Sequence, residues 1–446
     1  MKAKEDSFTN EHTDNAKERA ILIGVEIKGS HPLFTMDDSL DELALLASTA
    51  GVEVRGRVVQ HMARIDSATF VGSGKLEEIK QMLPELDANM VIFDDELSAR
   101  HQRELDAVLG NNIKVLDRSA LILDIFAQHA ATREGALQVE LAQYEYRLPR
   151  LTHQWSHLAR QAGGGGGRGG TGGVGLRGPG ETQLEVDRRE IRRRITKLRE
   201  ELEDVRAHRQ RHRAQRERAG MPVVALVGYT NAGKSTLLNA LSGADVYVAN
   251  QLFATLDTTT RRVKLPSGQV ILLSDTVGFI QKLPVTLVAA FRATLEEVTE
   301  ADLLVHVVDA HHKLFEDHID VVEDTLAELE ASRIPKILVL NKMDLGEASE
   351  TADYKALGYR AVVHTSAARG TGLDTLLNTI SRELTENMER INVLLPYSLG
   401  EWLGAIHNQG IVEKETHTEE GVKLVARIPA RLAGRLKQAL AEKPGE

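Results

Sequence analysis

The stretch VVALVGYTNAGKSTLLNAL, residues 223–241, decides how the rest of the chain is read. Val223–Val227 is a short apolar, β-branched run with the character of a buried strand, and Thr236–Leu241 reads as the start of a helix. Between them lies Gly228-Tyr-Thr-Asn-Ala-Gly233-Lys234-Ser235, a phosphate-binding loop in the strand–loop–helix setting it requires. Its glycines let the backbone N–H groups of Gly228, Tyr229, Thr230, Asn231, Ala232 and Gly233 wrap phosphate oxygens, and the helix N-terminus adds favourable partial charge. Lys234 is placed to neutralise the β- and γ-phosphates, and Ser235 to ligand Mg2+.

Two further motifs follow in order. Asp275-Thr276-Val277-Gly278 comes after strand-like Val270–Leu273. Asp275 suits a Mg2+-bound water, and the Gly278 amide the γ-phosphate. Asn341-Lys342-Met343-Asp344 follows strand-like Ile337–Leu340. A carboxylate there accepts from the N1–H and 2-amino group of guanine. Adenine lacks both donors and would leave a buried acceptor unpaired, so discrimination is large. Thr365, Ser366 and Ala367, after strand-like Ala361–His364, are placed to offer a backbone contact to the guanine O6. Together the motifs predict a GTP site. Residues 250–260, NQLFATLDTTT, are polar without a regular apolar period, as expected of a switch loop that orders around γ-phosphate and Mg2+. Several threonines there compete for the metal. Ras-like enzymes carry a Gln beside the Asp-x-x-Gly glycine to orient the attacking water; here that position is Phe279. A phenyl ring cannot orient water, so unassisted hydrolysis is expected to be slow, and turnover conditional on another residue, a cation or a partner.

Composition bounds the rest. The chain has 446 residues, 42% hydrophobic and 27% charged, which is ample for packed cores and excludes wholesale disorder. With no cysteine, disulfides, thiolate metal sites and Cys nucleophiles are excluded together. No apolar run reaches the roughly 20 residues of a membrane span. Met1–Ala20 is too polar for a secretory signal, so a soluble intracellular protein without membrane insertion is expected. The net charge of −10 hides an asymmetry: residues 147–219 carry 18 Lys and Arg against 9 Asp and Glu, a net of +9 that leaves −19 for the remainder. One basic segment on an acidic chain points to a polyanion partner.

Around the central motif the chain divides by texture. Residues 1–19 read as a disordered tail. Strand-like Ile21–Ile27, Glu53–Val59, Met90–Phe93 and Ile113–Leu116 alternate with helical Asp38–Thr49, Leu76–Leu83 and Ser98–Leu109, which predicts an α/β domain over 20–135. Leu137, Leu141, Tyr144, Leu148, Leu151, Trp155 and Leu158, then Leu184, Ile191, Ile195, Leu198, Leu202 and Val205, form two heptad seams. They predict a long antiparallel helical hairpin over 136–220, kinked at Pro149, with the Gly-rich loop 163–180 at its tip. That loop carries Arg168 and Arg177 and suits contact with phosphates. Residues 221–388 form a P-loop GTPase domain with a doubly wound sheet. Residues 389–446 form a small C-terminal α/β domain, strand-like at Asn392–Leu395 and Val422–Ile428 and helical at Leu399–Asn408 and Ala430–Leu440. The fold class is α/β throughout. His306, His311 and His312 lie around a strand end and are expected at the surface.

GYTNAGKS, FATLD, DTVGF and NKMD, in this order, resemble the HflX family of GTPases, relatives of Obg with a hydrophobic residue in place of the catalytic Gln. Phe70–Lys75 (FVGSGK), Ile92–Leu97 (IFDDEL), Asp117–Phe126 (DRSALILDIF), Glu134–Ala142 (EGALQVELA) and Arg177–Glu185 (RGPGETQLE) resemble it independently. The resemblance covers about residues 20–390. It implies a Mg2+-dependent GTP hydrolase, monomeric and cytoplasmic, at most peripherally associated with a membrane. It also implies that the protein binds the large ribosomal subunit and its RNA, is stimulated by it, and splits or rescues stalled or heat-stressed ribosomes. Because Phe-Ala-Thr-Leu parallels the Phe-Thr-Thr-Leu switch element of Obg-like GTPases, the switch ligand to Mg2+ is Thr255, flanked by Phe253, Ala254, Leu256 and Asp257, with Thr258–Thr260 as the alternative. Gly163–Gly173 is longer than the family's usual glycine cluster. Rival readings are an ATP-dependent RNA helicase or chaperone with a second site in residues 20–220, a GTP-gated scaffold, and a ribosome-assembly GTPase. Residues 20–135 show no nucleotide motif for the first.

Overall fold

A computed structural model describes the chain except residues 1–17, 31, 111, 153–178, 220, 244–251, 254–255, 257, 284–294, 296, 347–353, 355–356, 387 and 442–446. The expected tail and the tip of the Gly-rich loop therefore lie outside the described residues. The chain divides into two compact units, residues 1–125 and 126–446.

In the first unit β1 (Arg19–Ile27), β2 (Glu53–Met62), β3 (Met90–Phe93) and β4 (Lys114–Asp117) form one parallel sheet in the order β2-β1-β3-β4. Helices α1 (Met36–Thr49), α2 (Ser73–Glu85) and α3 (Ala99–Leu109) make the crossovers, as parallel pairing demands. Ile21, Ile23, Val91 and Phe93 alternate into a core with Leu76, Ile79 and Leu105. The strand order reverses between β1 and β3, where α/β folds commonly bind ligands. Here that edge carries a buried network: Ser39 donates to Asp94 at 2.8 Å, and Arg118, 1% exposed, pairs with Glu42 at 2.9 Å and Asp94 at 3.2 Å.

The second unit opens with the end of α4 (Arg118–His129) and α5 (Arg133–Arg147). The heptad seam is real: Leu137 and Leu141 bury against Ile195, Leu198 and Leu202 of α6 (Pro179–Ala219). Its expected course is corrected at Pro149. Pro149 ends the first helix rather than kinking it, because proline has no N–H to continue the helical ladder; α5 stops at Arg147, Leu148 keeps αR geometry as its C-cap, and a 3-10 turn covers Arg150–Thr152. The ion pairs Glu140–Arg194 and Glu145–Arg199 advance together along both helices, while Arg133–Glu201 runs the other way. All three pairs tie α5 to α6.

A six-stranded sheet follows, ordered β10-β9-β8-β5-β7-β6. β5 (Val223–Val227), β7 (Val270–Asp275), β8 (Leu303–Asp309), β9 (Lys336–Asn341) and β10 (Tyr359–His364) are parallel, and β6 (Thr259–Lys264) is an antiparallel edge. The edge strand was not expected; its TTRRVK has one buried apolar residue, Val263, so no alternation marks it. Crossovers include α7 (Lys234–Ser242) and α8 (Phe315–Glu328), and α9 (Leu373–Glu386) follows β10 and packs Leu376, Ile380 and Leu384 into the sheet's core. The chain leaves β5 toward β7 and returns to β8 on the opposite side, so the loop after β5 sits at the switch point of a doubly wound sheet. The end of the unit is β11 (Met388–Leu395), α10 (Gly400–Gln409), β12 (Ile411–Thr418), β13 (Gly421–Pro429) and α11 (Ala430–Ala441), an antiparallel sheet ordered β11-β13-β12. Ile391, Leu424, Ala426 and Ile428 meet Ile406 and Leu436 in its core.

Candidate nucleotide site

The loop after β5 owes its shape to two glycines. Gly228 has φ +151°, and a Cβ there would lie 2.2 Å from the Val307 carbonyl oxygen of β8. Gly233 has φ +95° at the N-cap of α7, and a Cβ would fall 2.4 Å from Asn341 Nδ2. Neither position accepts a side chain without moving backbone or breaking the Asn341 contact. Lys234 opens α7, 6% exposed, and its Nζ donates to the carbonyls of Gly228 at 3.0 Å and Tyr229 at 2.9 Å. Burial pulls its pKa down to about 8, against the opposing charge of Asp275.

Ser235 Oγ donates to Asp275 Oδ2 at 2.6 Å. Thr276 fixes this end of β7 by donating to the Leu226 carbonyl at 2.7 Å, and Val277 is buried beside it. A hydroxyl touching a carboxylate is a hard oxygen pair that suits Mg2+. Among the described residues no three His, Asp or Glu side chains converge on a metal, so a cation here would complete its shell from phosphate and water.

Asn341 is buried and acts as a clamp. Its Nδ2 donates to Ala232 O at 2.9 Å, and its Oδ1 accepts from Thr365 Oγ1 at 3.2 Å and the Ala367 amide at 3.0 Å. The Ala367 amide, within the Thr365–Ala367 stretch expected to offer a backbone contact to guanine O6, thus donates to Asn341. Met343 N donates to Thr365 O at 3.1 Å. Lys342, at φ +65°, pairs with Asp309 at 2.7 Å. Asp344 accepts the Ser366 hydroxyl at 2.6 Å, and Arg369 Nε lies 3.8 Å from its other oxygen. The Ser366 bond, aided by Arg369, holds its carboxyl below the usual range, so it is an ionised acceptor.

The segment after β7 lies on the loop. Phe279 N donates to Gly228 O at 3.1 Å and Thr230 N donates to Phe279 O at 2.8 Å; the Phe279 ring is 2% exposed. A Cβ on Gly278 would meet Thr230 Cα at 2.9 Å. Other expected site residues are not brought here. Thr255, Ala254 and Asp257 lie outside the described residues. Phe253 and Leu256 are buried, and the Phe253 ring stands edge-on to Phe126 at 4.6 Å, packing there instead of lining the loop. Thr259 and Thr260 belong to β6, where Thr260 Oγ1 bonds Ser274 Oγ at 3.2 Å.

Histidines were misjudged. His306 is fully buried, its Nδ1 2.6 Å from the Tyr359 hydroxyl, which donates to Glu323 at 2.7 Å. His318 lies flat on the Tyr229 ring, centroids 3.8 Å apart and planes within 6°. The continuous apolar run on both sides of His306, the mark of a strand buried on both faces, was the available signal. No sequence signal marked His318. Burial, aided by nearby Lys336 and Lys234, pushes His306 down to about 3; burial, aided by His312, does the same to His318. Unfolded, both titrate near 6.5. The unfolded chain therefore binds more protons between those values, and stability present above 6.5 is lost as pH falls toward 3. Each histidine is expected to cost about 2 kcal/mol near pH 5 relative to pH 8. Urea midpoints at the two pH values, with His306→Phe flattening the difference, check this.

A P-loop sequence at the switch point of a doubly wound sheet, with an ionised carboxylate at Asp344 just after β9, is the architecture of a P-loop GTPase. Family descriptions match consecutive parts of the chain: "GTP-binding GTPase N-terminal" over 37–127, "GTP-binding GTPase Middle Region" over 129–216 and "50S ribosome-binding GTPase" over 223–342. The chain is 45% identical to the GTPase HflX of Caldanaerobacter subterraneus subsp. tengcongensis, over 94% of this chain and 93% of that one. It is 52% identical to that of Alkalihalophilus pseudofirmus over 73% and 74%, and 41% identical to that of Escherichia coli over 93% and 94%. The chain belongs to the HflX family of GTPases, and GTP hydrolysis is its activity. No helix among the described residues is long and apolar enough to cross a membrane.

Proposed function

We propose that this GTPase acts in the cytoplasm as a monomer, binds the large ribosomal subunit through its basic 136–220 segment, and splits or rescues stalled ribosomes, with hydrolysis stimulated by the subunit. The observation that carries the reading is the placement of the charge. The arginine-rich α6 ends at Ala219, and Val223 already opens the strand that leads into the phosphate loop. Arginines on a helix suit RNA phosphates, so an RNA-bound α6 would act on the strand beside the nucleotide. The "50S ribosome-binding GTPase" description over 223–342 supports the same partner.

In this reading the triphosphate lies along residues 228–235, with Lys234 against its β- and γ-phosphates. Ser235 and the switch residue Thr255 would hold Mg2+, with Asp275 beside Ser235. The ion would supply charge neutralisation for the phosphates. Asp344 accepts from the guanine N1–H and 2-amino group, and the Gly278 amide reports the γ-phosphate. No side chain at Phe279 orients the attacking water, which fits a turnover that waits for the ribosome. The network of Ser39, Asp94, Arg118 and Glu42 fills the switch point of the first unit, which weighs against a second nucleotide site there. The test is GTP turnover with and without purified large subunits. Stimulation of at least tenfold is expected, reduced by deleting Gly163–Gly173 while turnover without subunits stays the same. Equal rates with and without subunits would overturn the partner.

A further inference from the structure

Tyr229, the second residue of the phosphate loop, makes contacts that phosphate binding does not call for. Its ring stacks on His318 of α8, and His318 in turn lies 4.3 Å from the His312 ring. Its hydroxyl accepts from the Gln281 amide at 3.0 Å. Between these contacts the backbone of Phe279 exchanges hydrogen bonds with Gly228 and Thr230. The result holds the segment 275–281 down on the loop, with Gly278 so close to Lys234 that an added Cβ would meet its Nζ at 3.2 Å.

We propose that the Tyr229–His318 stack is the positioning element of a latch that holds the 275–281 segment on the phosphate loop and thereby sets the preference between guanosine diphosphate and triphosphate. The inference rests on the nucleotide site proposed above. A γ-phosphate that engages both the Gly278 amide and Lys234 has to enter where these groups are drawn together. The segment must lift, and lifting gives up the Gln281–Tyr229 bond. His318 acts through Tyr229: an uncharged ring held flat on the phenol fixes where its hydroxyl points. Because the diphosphate makes no demand on Gly278, the latch weighs on the triphosphate alone.

The test uses the full chain with Mg2+ and fluorescent GDP and a non-hydrolysable GTP analogue, titrated in parallel. Tyr229→Phe keeps the stack and removes only the hydroxyl; His318→Ala removes the stack; His318→Phe restores a flat ring. One hydrogen bond or one aromatic stack corresponds to about three- to tenfold in affinity. Tyr229→Phe and His318→Ala are expected to raise analogue affinity relative to GDP by that factor, with the Kd for GDP within twofold in His318→Ala, and His318→Phe to behave as the parent. A ratio unmoved in both variants, or His318→Phe as shifted as His318→Ala, overturns the latch. The parent's own GDP titration tests the site assignment separately, so parental binding with an unmoved ratio sinks the latch alone.

Discussion

Lys234→Ala is expected to lower kcat/KM for GTP by at least about 100-fold, the scale seen when one preorganised donor is removed from developing charge. The side chain is buried at the first position of α7, so its ammonium meets the phosphates in a site from which water is largely excluded, where charge-assisted bonds are strong. Alanine favours the helix, so the loss is one of charge and of the two bonds to Gly228 and Tyr229 that curve the loop. A circular dichroism melt close to the parent's, alongside the lost turnover and a GDP Kd raised by a similar factor, separates chemistry from misfolding. Unchanged subunit-stimulated turnover in this variant would mean the phosphates are held elsewhere.

Asp344→Asn is expected to exchange base preference: affinity for GTP falls by at least about 100-fold while affinity for xanthosine triphosphate rises. The carboxylate is acceptor-only, whereas an amide presents an NH2 on one side. Facing guanine's N1–H and 2-amino group, that NH2 opposes donor to donor; facing the C2 carbonyl of xanthine it finds an acceptor. Ser366 holds one carboxylate oxygen, and Arg369 Nε lies 3.8 Å from the other. Competition of each triphosphate against fluorescent GDP measures the exchange. A variant that lost GTP without gaining the xanthine nucleotide would show Asp344 to be part of the frame only.

Much of this site is legible in the chain because its parts are local. A strand, a loop with glycines at 228 and 233 and a helix start lie within 20 residues, and backbone geometry alone demands those glycines. The seam of Leu137 and Leu141 with Ile195, Leu198 and Leu202 is likewise readable as a period. Other parts were misread because the deciding contact comes from far along the chain. Thr259 and Thr260 look like loop threonines until β7 pairs with them. Phe253 looks like part of a switch until Phe126 takes its ring. His306 looks polar and superficial until Tyr359 receives it.

By itself, then, the order of residues determined the alternating α/β layers, the phosphate loop, the place of Asp344 just after a buried strand and the one strongly basic segment, since each is written in residue type and spacing over a few turns or strands. Only the tertiary structure decided that Asn341 serves as a clamp, reaching Ala232 across 109 positions, and that His318 stacks on Tyr229. It also decided that Glu140 and Glu145 of α5 pair with Arg194 and Arg199 of α6. The reason is physical: periodicity specifies which face of an element is buried, but the partner on that face is chosen by packing among elements brought together from distant parts of the chain.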